Sequence, residues 1–225
     1  MSTVRLIDVE VAYRGETVLG PLSGEFGSGS LTAVIGPNGA GKTTLLAAIA
    51  GLVPLGAGRI ERAPGTRIAY LPQRSPIDPA FPIRVGDVVA LGLVPRLGPW
   101  RGLDPSRQQE VRSALAAVGI ADLERNLVGE LSSGQFRRVL LARTRVQQAD
   151  VVLLDEPFNA LDARATADLV ELIATWQRQG RTVICVLHQE ALVRAHFPAA
   201  LLLARRAIAW GSTDDVLQQA GASVE

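Results

Sequence analysis

One stretch of eight residues constrains this chain more than anything else in it. Gly36, Pro37, Asn38, Gly39, Ala40, Gly41, Lys42 and Thr43 fit the pattern G-x-x-x-x-G-K-[ST]. The stretch stands between Leu31–Ile35, an unbroken apolar run that predicts a buried strand, and residues 42–50, whose spacing predicts a helix closed by Gly51 and Pro54. Between a strand and a helix, glycines let successive backbone N–H groups turn inward, and the helix N-terminus adds partial positive charge. Such a cradle holds phosphates. It predicts a nucleotide site, with Lys42 reaching the β- and γ-phosphates, the Thr43 hydroxyl on Mg²⁺ and Thr44 beside it.

The same strand–loop–helix unit points to an α/β fold, and the rest of the chain extends it. Residues 4–11, Ile68–Leu71, 151–154 and 182–187 read as strands, and Ala163–Arg178 reads as a helix. The tail from Ala199 adds short strands and a last helix near 214–219. Strands alternating with helices at both ends predict a mostly parallel sheet with helices on its faces. Between Gln73 and about Ala149 the character changes. Pro76, Pro79 and Pro82 mark an irregular stretch, and 85–93, 105–118 and 135–147 carry helical spacing. We expect an α/β core from 1–73 and 149–225, interrupted by a helical lobe over 74–148.

Composition narrows the chemistry. Twenty-three basic and 22 acidic residues leave a formal charge of +1, so no basic footprint for nucleic acid or anionic lipid is present. Arginine supplies 22 of the basic residues and lysine one, Lys42, which singles out a position where a compact ammonium is wanted. A lone cysteine, Cys185, with His188 and His196 cannot build a structural metal site, which leaves Mg²⁺ on oxygen ligands. No apolar stretch approaches the roughly 20 residues of a membrane span, and residues 1–10 lack a signal-peptide core. A cytoplasmic chain is expected, one that would serve a membrane only by docking on another protein's helices.

Asp155 and Glu156 close the apolar run 151–154, at the strand end where α/β ligands bind. Asp155 is expected to support Mg²⁺, directly or through water, and Glu156 to polarise a water for in-line attack on the γ-phosphate. An acidic pair can instead merely cap the turn at Pro157. Behind a phosphate loop the catalytic reading carries more weight.

Leu131, Ser132, Ser133, Gly134 and Gln135, followed by the helical run 136–143, resemble the signature motif of ABC ATPases. The family's other parts stand in order: Tyr13, Gln73, Asn159 to Asp162, and His188. The resemblance spans nearly the whole chain and implies an ABC ATPase fold: a P-loop NTPase core with a mostly parallel sheet, a small antiparallel β part and an inserted helical lobe carrying the signature. It implies ATP and Mg²⁺ as cofactors, with the nucleotide sandwiched between the phosphate loop of one copy and the signature of a second. Ser132 and Gly134, within the stretch through Ser133 and Gln135, would then close on the γ-phosphate in trans. Tyr13 would stack on adenine. Gln73 would touch Mg²⁺ or the attacking water and report nucleotide state to a membrane subunit. His188 would hold the γ-phosphate and position Glu156, and Asp162 would lie at the dimer seam. Three departures put the rate in question: Ser133 replaces the first glycine of the usual pair, Asn159 a serine, and Gln189 an aspartate.

Residues 70–78, 81–83 and 156–158, with the tail over 192–211, are similar to the importer branch serving zinc, manganese and chelated iron, zinc importers foremost. That likeness implies an integral membrane permease as partner, an extracytoplasmic metal-binding protein acting indirectly, no nucleic acid, and a peripheral place on the cytoplasmic face of a bacterial inner membrane. Siderophore or heme transport is the nearer alternative. ABC ATPases that act on DNA are the remoter one. They separate loop and signature by long coiled coils, and the roughly 90 residues between Thr43 and Ser132 here show no sustained heptads.

Overall fold

The computed structural model describes residues 2–74, 77–78, 81–98, 104–159 and 161–222. Pro76 and Pro79 therefore lie outside the described residues. The chain forms two compact units, one of Met1–Gln73, Asp150–Pro157 and Ala174–Glu225, the other of Arg74–Ala149 and Phe158–Ile173.

The first unit holds two sheets. The larger has six strands in the order β5 (Ile68–Leu71), β6 (Val151–Asp155), β7 (Thr182–Val186), β3 (Leu31–Ile35), β8 (Ala199–Leu203), β9 (Ala207–Ser212). All neighbours are parallel except β8 and β9. Every residue of β6 and β7 is buried, which is why their sequences run apolar without alternation: both faces of a parallel sheet are covered. On it packs α1 (Lys42–Ile49), whose Leu45, Leu46 and Ile49 are fully buried against Val34, Leu153, Ile184 and Leu201. Each such side chain contributes about 1.5–3 kcal/mol on leaving water. Because β5, β6, β7 and β3 are adjacent and parallel, the segments following all four leave from one edge of the sheet. Gln73, Asp155 with Glu156, His188 and the Gly36 loop are delivered there together.

The smaller sheet, β2 (Glu16–Gly27), β1 (Ser2–Tyr13) and β4 (Ala57–Arg62), is antiparallel. Neither β2 nor β4 was foreseen as a strand. In β2 the signal is broken by Gly20, Pro21, Gly24 and Gly27, residues that weaken a strand on propensity alone, and the β1–β2 ladder shifts register several times to hold them. Gly24 is there for contact: a Cβ at this position would stand 2.5 Å from Trp210 Cζ3. β4 is exposed almost throughout, so no alternation marks it. The short helix α7 (Glu190–His196) was also unforeseen, and α8 (Thr213–Ala222) runs longer than 214–219.

The second unit is helical: α2 (Val85–Ala90), α3 (Val94–Leu97), α4 (Pro105–Ala117) and α5 (Ser133–Val146), with the first part of α6 (Ala163–Arg178). Its core is apolar, including Val88, Val89, Leu115, Val139 and Ala142, all fully or almost fully buried. No helix among the described residues is long and apolar enough to cross a membrane.

Candidate active site

The loop between β3 and α1 is shaped by its glycines. Gly36 has φ +143° and Gly41 φ +90°, and a Cβ at Gly36 would lie 2.0 Å from the Leu203 carbonyl oxygen. Only glycine allows that approach. Gly41 precedes α1 without any side-chain cap, and the helix ladder begins with the Leu45 N–H donating to the Gly41 carbonyl at 2.8 Å. The first-turn amides are thus left for an outside acceptor. Lys42 is only 6% exposed, and its Nζ donates to the carbonyls of Gly36 and Pro37, 2.8 Å each. Burial lowers its pKa, while Glu156 and Asp155 pull it back up. A buried ammonium resting on two loop carbonyls, at a helix start with no side-chain cap, suits a polyphosphate, which offers stronger acceptors than carbonyls do. Pro37, Asn38, Gly39 and Thr43 are exposed, Thr44 is half-buried, and Ala40 is buried.

Asp155 ends β6, fully buried, opposite Val186 of β7. The Tyr70 hydroxyl lies 3.5 Å from its Oδ2. Glu156, the next residue, takes φ +50°, a left-handed conformation costing about 1–3 kcal/mol in a residue with a side chain. The turn throws its carboxylate back over the sheet edge. There Oε2 accepts from Gln73 Nε2 at 2.7 Å and Oε1 meets His188 Nε2 at 2.6 Å. For a carboxylate to hold that contact, the imidazole proton sits on Nε2. Oxygen donors from Thr43, Asp155 and Gln73 suit Mg²⁺, a hard cation that takes oxygen ligands. Tyr13, the last residue of β1, is 45% exposed.

In the second unit Ser132 caps α5. Its hydroxyl accepts from the Gln135 N–H at 3.2 Å, and Gln135 Oε1 accepts from the Ser132 N–H at 2.9 Å, a reciprocal capping box. Ser133 occupies the first helical position without a positive φ, so its added side chain costs no backbone strain. Gly134 follows it in the helix. Asp162 caps α6 through the Ala165 N–H, 2.7 Å from Oδ1, and the Arg138 guanidinium stands 3.6 Å from its Oδ2. Ser132 to Gln135, Arg138 and Asp162 line one cavity of about 480 Å³. The fold thus assembles Lys42, Asp155, Glu156, Gln73 and His188 within one unit, and the signature stretch with Asp162 within the other. Reasoning from the sequence passed over Tyr70 and Arg138 as site residues. Tyr70 could have been found from its place two residues before the Pro72–Gln73 turn. Arg138 could have been found from its i+3 position to Gln135 on one helix face.

Residues 19–159 match the family model described as ABC transporter. The chain belongs to this family. The manganese transport system ATP-binding protein MntB of Bacillus subtilis (strain 168) is 38% identical over 222 residues, covering 96% of this chain and 89% of the relative. The zinc transport system ATP-binding protein TroB of Treponema pallidum (strain Nichols) is 39% identical over 230 residues, covering 96% and 86%. Among solved structures, an ABC transporter in an inward-facing conformation superposes with a TM-score of 0.84 at 27% identity, covering 96% of this chain and 86% of that one. A dimeric, post-hydrolysis ATP-binding cassette bound to ADP and phosphate superposes with a TM-score of 0.84 at 20% identity over 94% and 99%, a likeness of fold. This ABC ATPase is an α/β protein that binds ATP with Mg²⁺ and hydrolyses it.

Proposed function

We propose that this ABC ATPase powers import of a first-row divalent metal ion, zinc or manganese. It would work as a pair of identical copies docked on an integral membrane permease, at the cytoplasmic face of a bacterial inner membrane, with an extracytoplasmic metal-binding protein delivering the ion. The relatives' names support the cargo class and divide between the two metals. The observation that carries the catalytic half is Glu156, pinned by Gln73 and His188 on the sheet edge that also holds Lys42.

In this reading Lys42 leaves the loop carbonyls for the β- and γ-phosphates, and the α1 amides share the charge that develops on the γ-phosphoryl oxygens. Mg²⁺, held by Thr43, Asp155 and Gln73, would neutralise phosphate charge and align the leaving group. Glu156 orients the attacking water and accepts its proton as the new P–O bond forms and the bond to ADP breaks. His188 fixes the carboxylate and, once phosphate arrives, donates toward the γ-oxygen. Ser132 and Gly134 of the second copy close the far side, where the α5 N-terminus favours negative charge. Gln73, where the chain passes from the first unit into the second, would tie the water's position to the permease.

Deleting the gene in its host tests the cargo. Cell zinc or manganese, measured by elemental mass spectrometry in metal-poor medium, should fall several-fold and recover with the wild-type gene but not with Glu156→Gln. Unchanged levels of both metals in the deletion strain would refute metal import.

A further inference from the structure

Beside the nucleotide cradle lies a second cavity, of about 540 Å³, formed within the first unit by the ends of β3, β7 and β8 together with β9 and α8. Ile35, Leu202, Ile208, Leu217 and Ala220 give it an apolar body, and Glu190 is its single acidic side chain among the described residues. None of Tyr13, Lys42, Thr43, Gln73, Asp155 or Glu156 lines it. Its size and largely apolar wall with one polar corner are those of a small-molecule site, which commonly spans about 300–1,000 Å³.

Its position gives it leverage over catalysis. Gly36 and Pro37 line the cavity, and their carbonyls are the two acceptors that hold Lys42 Nζ. His188 lines it as well, and its Nε2 fixes Glu156 Oε1. A ligand here would press on the supports of both catalytic groups without touching either. Among the described residues Glu190 is engaged only by Arg194, at 3.1 Å in an exposed i,i+4 pair, an interaction worth little in water. Its carboxylate can turn toward a ligand donor at small cost.

We propose that this cavity is an allosteric site for a ring-bearing apolar molecule carrying one hydrogen-bond donor or cationic group, which Glu190 receives, and that its occupancy slows ATP hydrolysis. The coupling to turnover rests on the roles given above to Lys42 and Glu156; the binding does not.

The test uses the full chain and N-phenyl-1-naphthylamine, a neutral aromatic amine that fluoresces in apolar surroundings. Expected are saturable binding at one dye per chain, no displacement by ATP, and a fall in kcat with unchanged KM for ATP. Ala220→Trp, which fills the cavity, and Ile208→Ser, which removes part of its wall from an exposed position, should each weaken dye binding at least tenfold while ATPase activity without dye persists. Absence of saturable binding, wild-type affinity in either variant, or competition with ATP would overturn the site. So would loss of the dye when Glu156→Gln pairs with ATP, since the occupant would then be the second copy. Dye binding as expected in a chain with no ATPase activity would keep the cavity and sink the catalytic reading; an active ATPase without a dye site would do the reverse.

Discussion

Lys42 and Glu156 are each held in a costly state. The lysine is a buried cation with loop carbonyls for company, and the glutamate sits in a left-handed turn. In the proposed reading the lysine gains stronger acceptors once a triphosphate arrives, and the glutamate turn serves to aim its carboxylate at the attacking water. The lysine also explains why one ammonium survives in a chain otherwise using guanidinium for its positive charge. A point charge can sit between two carbonyls and slide to phosphate, whereas a planar fork needs more room than a 6% exposed pocket offers. Lys42→Arg should therefore lose ATPase activity by at least about 100-fold in a folded protein, on the scale of a lost electrostatic contact in the transition state. Turnover within a factor of three of wild type would contradict the argument. Ser133 is gentler. It stands where the signature motif this stretch resembles has glycine, and the helical geometry accepts its side chain without strain.

At the scale of elements, the parallel order β5-β6-β7-β3 makes the site, because it releases four loops at one edge. The β3–α1 turn also leans on β8, with Gly36 against the Leu203 carbonyl. Gly36→Ala would force a Cβ into that oxygen and into an unfavourable φ. It should destabilise the fold by more than about 2 kcal/mol, a fall in Tm of at least about 4 °C for a chain of this size. An unchanged melting curve would show that the loop yields freely. Most of this level could be read in the sequence. Buried parallel strands leave unbroken apolar runs, as at Val151 to Leu154, and the helices over 85–90, 105–117, 133–146 and 163–178 leave their spacing. The smaller sheet could not be read the same way. β2 is held by register shifts and by Gly24 yielding to Trp210, and β4 is exposed on nearly every residue, so neither carries an alternating pattern. The site residues were legible because their motifs are local. The Glu156 turn, the Tyr70 approach to Asp155 and the Arg138 approach to Asp162 were not, since each depends on segments brought together only by folding.

For the molecule as a whole, the account requires two surfaces beyond the cradle. One meets a permease. Phe81, a large apolar side chain 60% exposed, is the candidate for that contact. Phe81→Asp should abolish metal-stimulated transport in the assembled complex while leaving basal hydrolysis by the isolated chain within about twofold; equal loss of both would remove Phe81 from the docking face. The other, in the proposed reading, is the signature stretch over Ser132 to Gln135, which closes on the Lys42 cradle of a second copy. That requirement is the centre of the account, and one measurement reaches it most directly. Glu156→Gln, slowed in hydrolysis by roughly 10²–10⁴-fold, should elute from size-exclusion chromatography as a dimer with ATP and Mg²⁺ and as a monomer without them. Tight ATP binding by a mutant that stays monomeric at every concentration would contradict it.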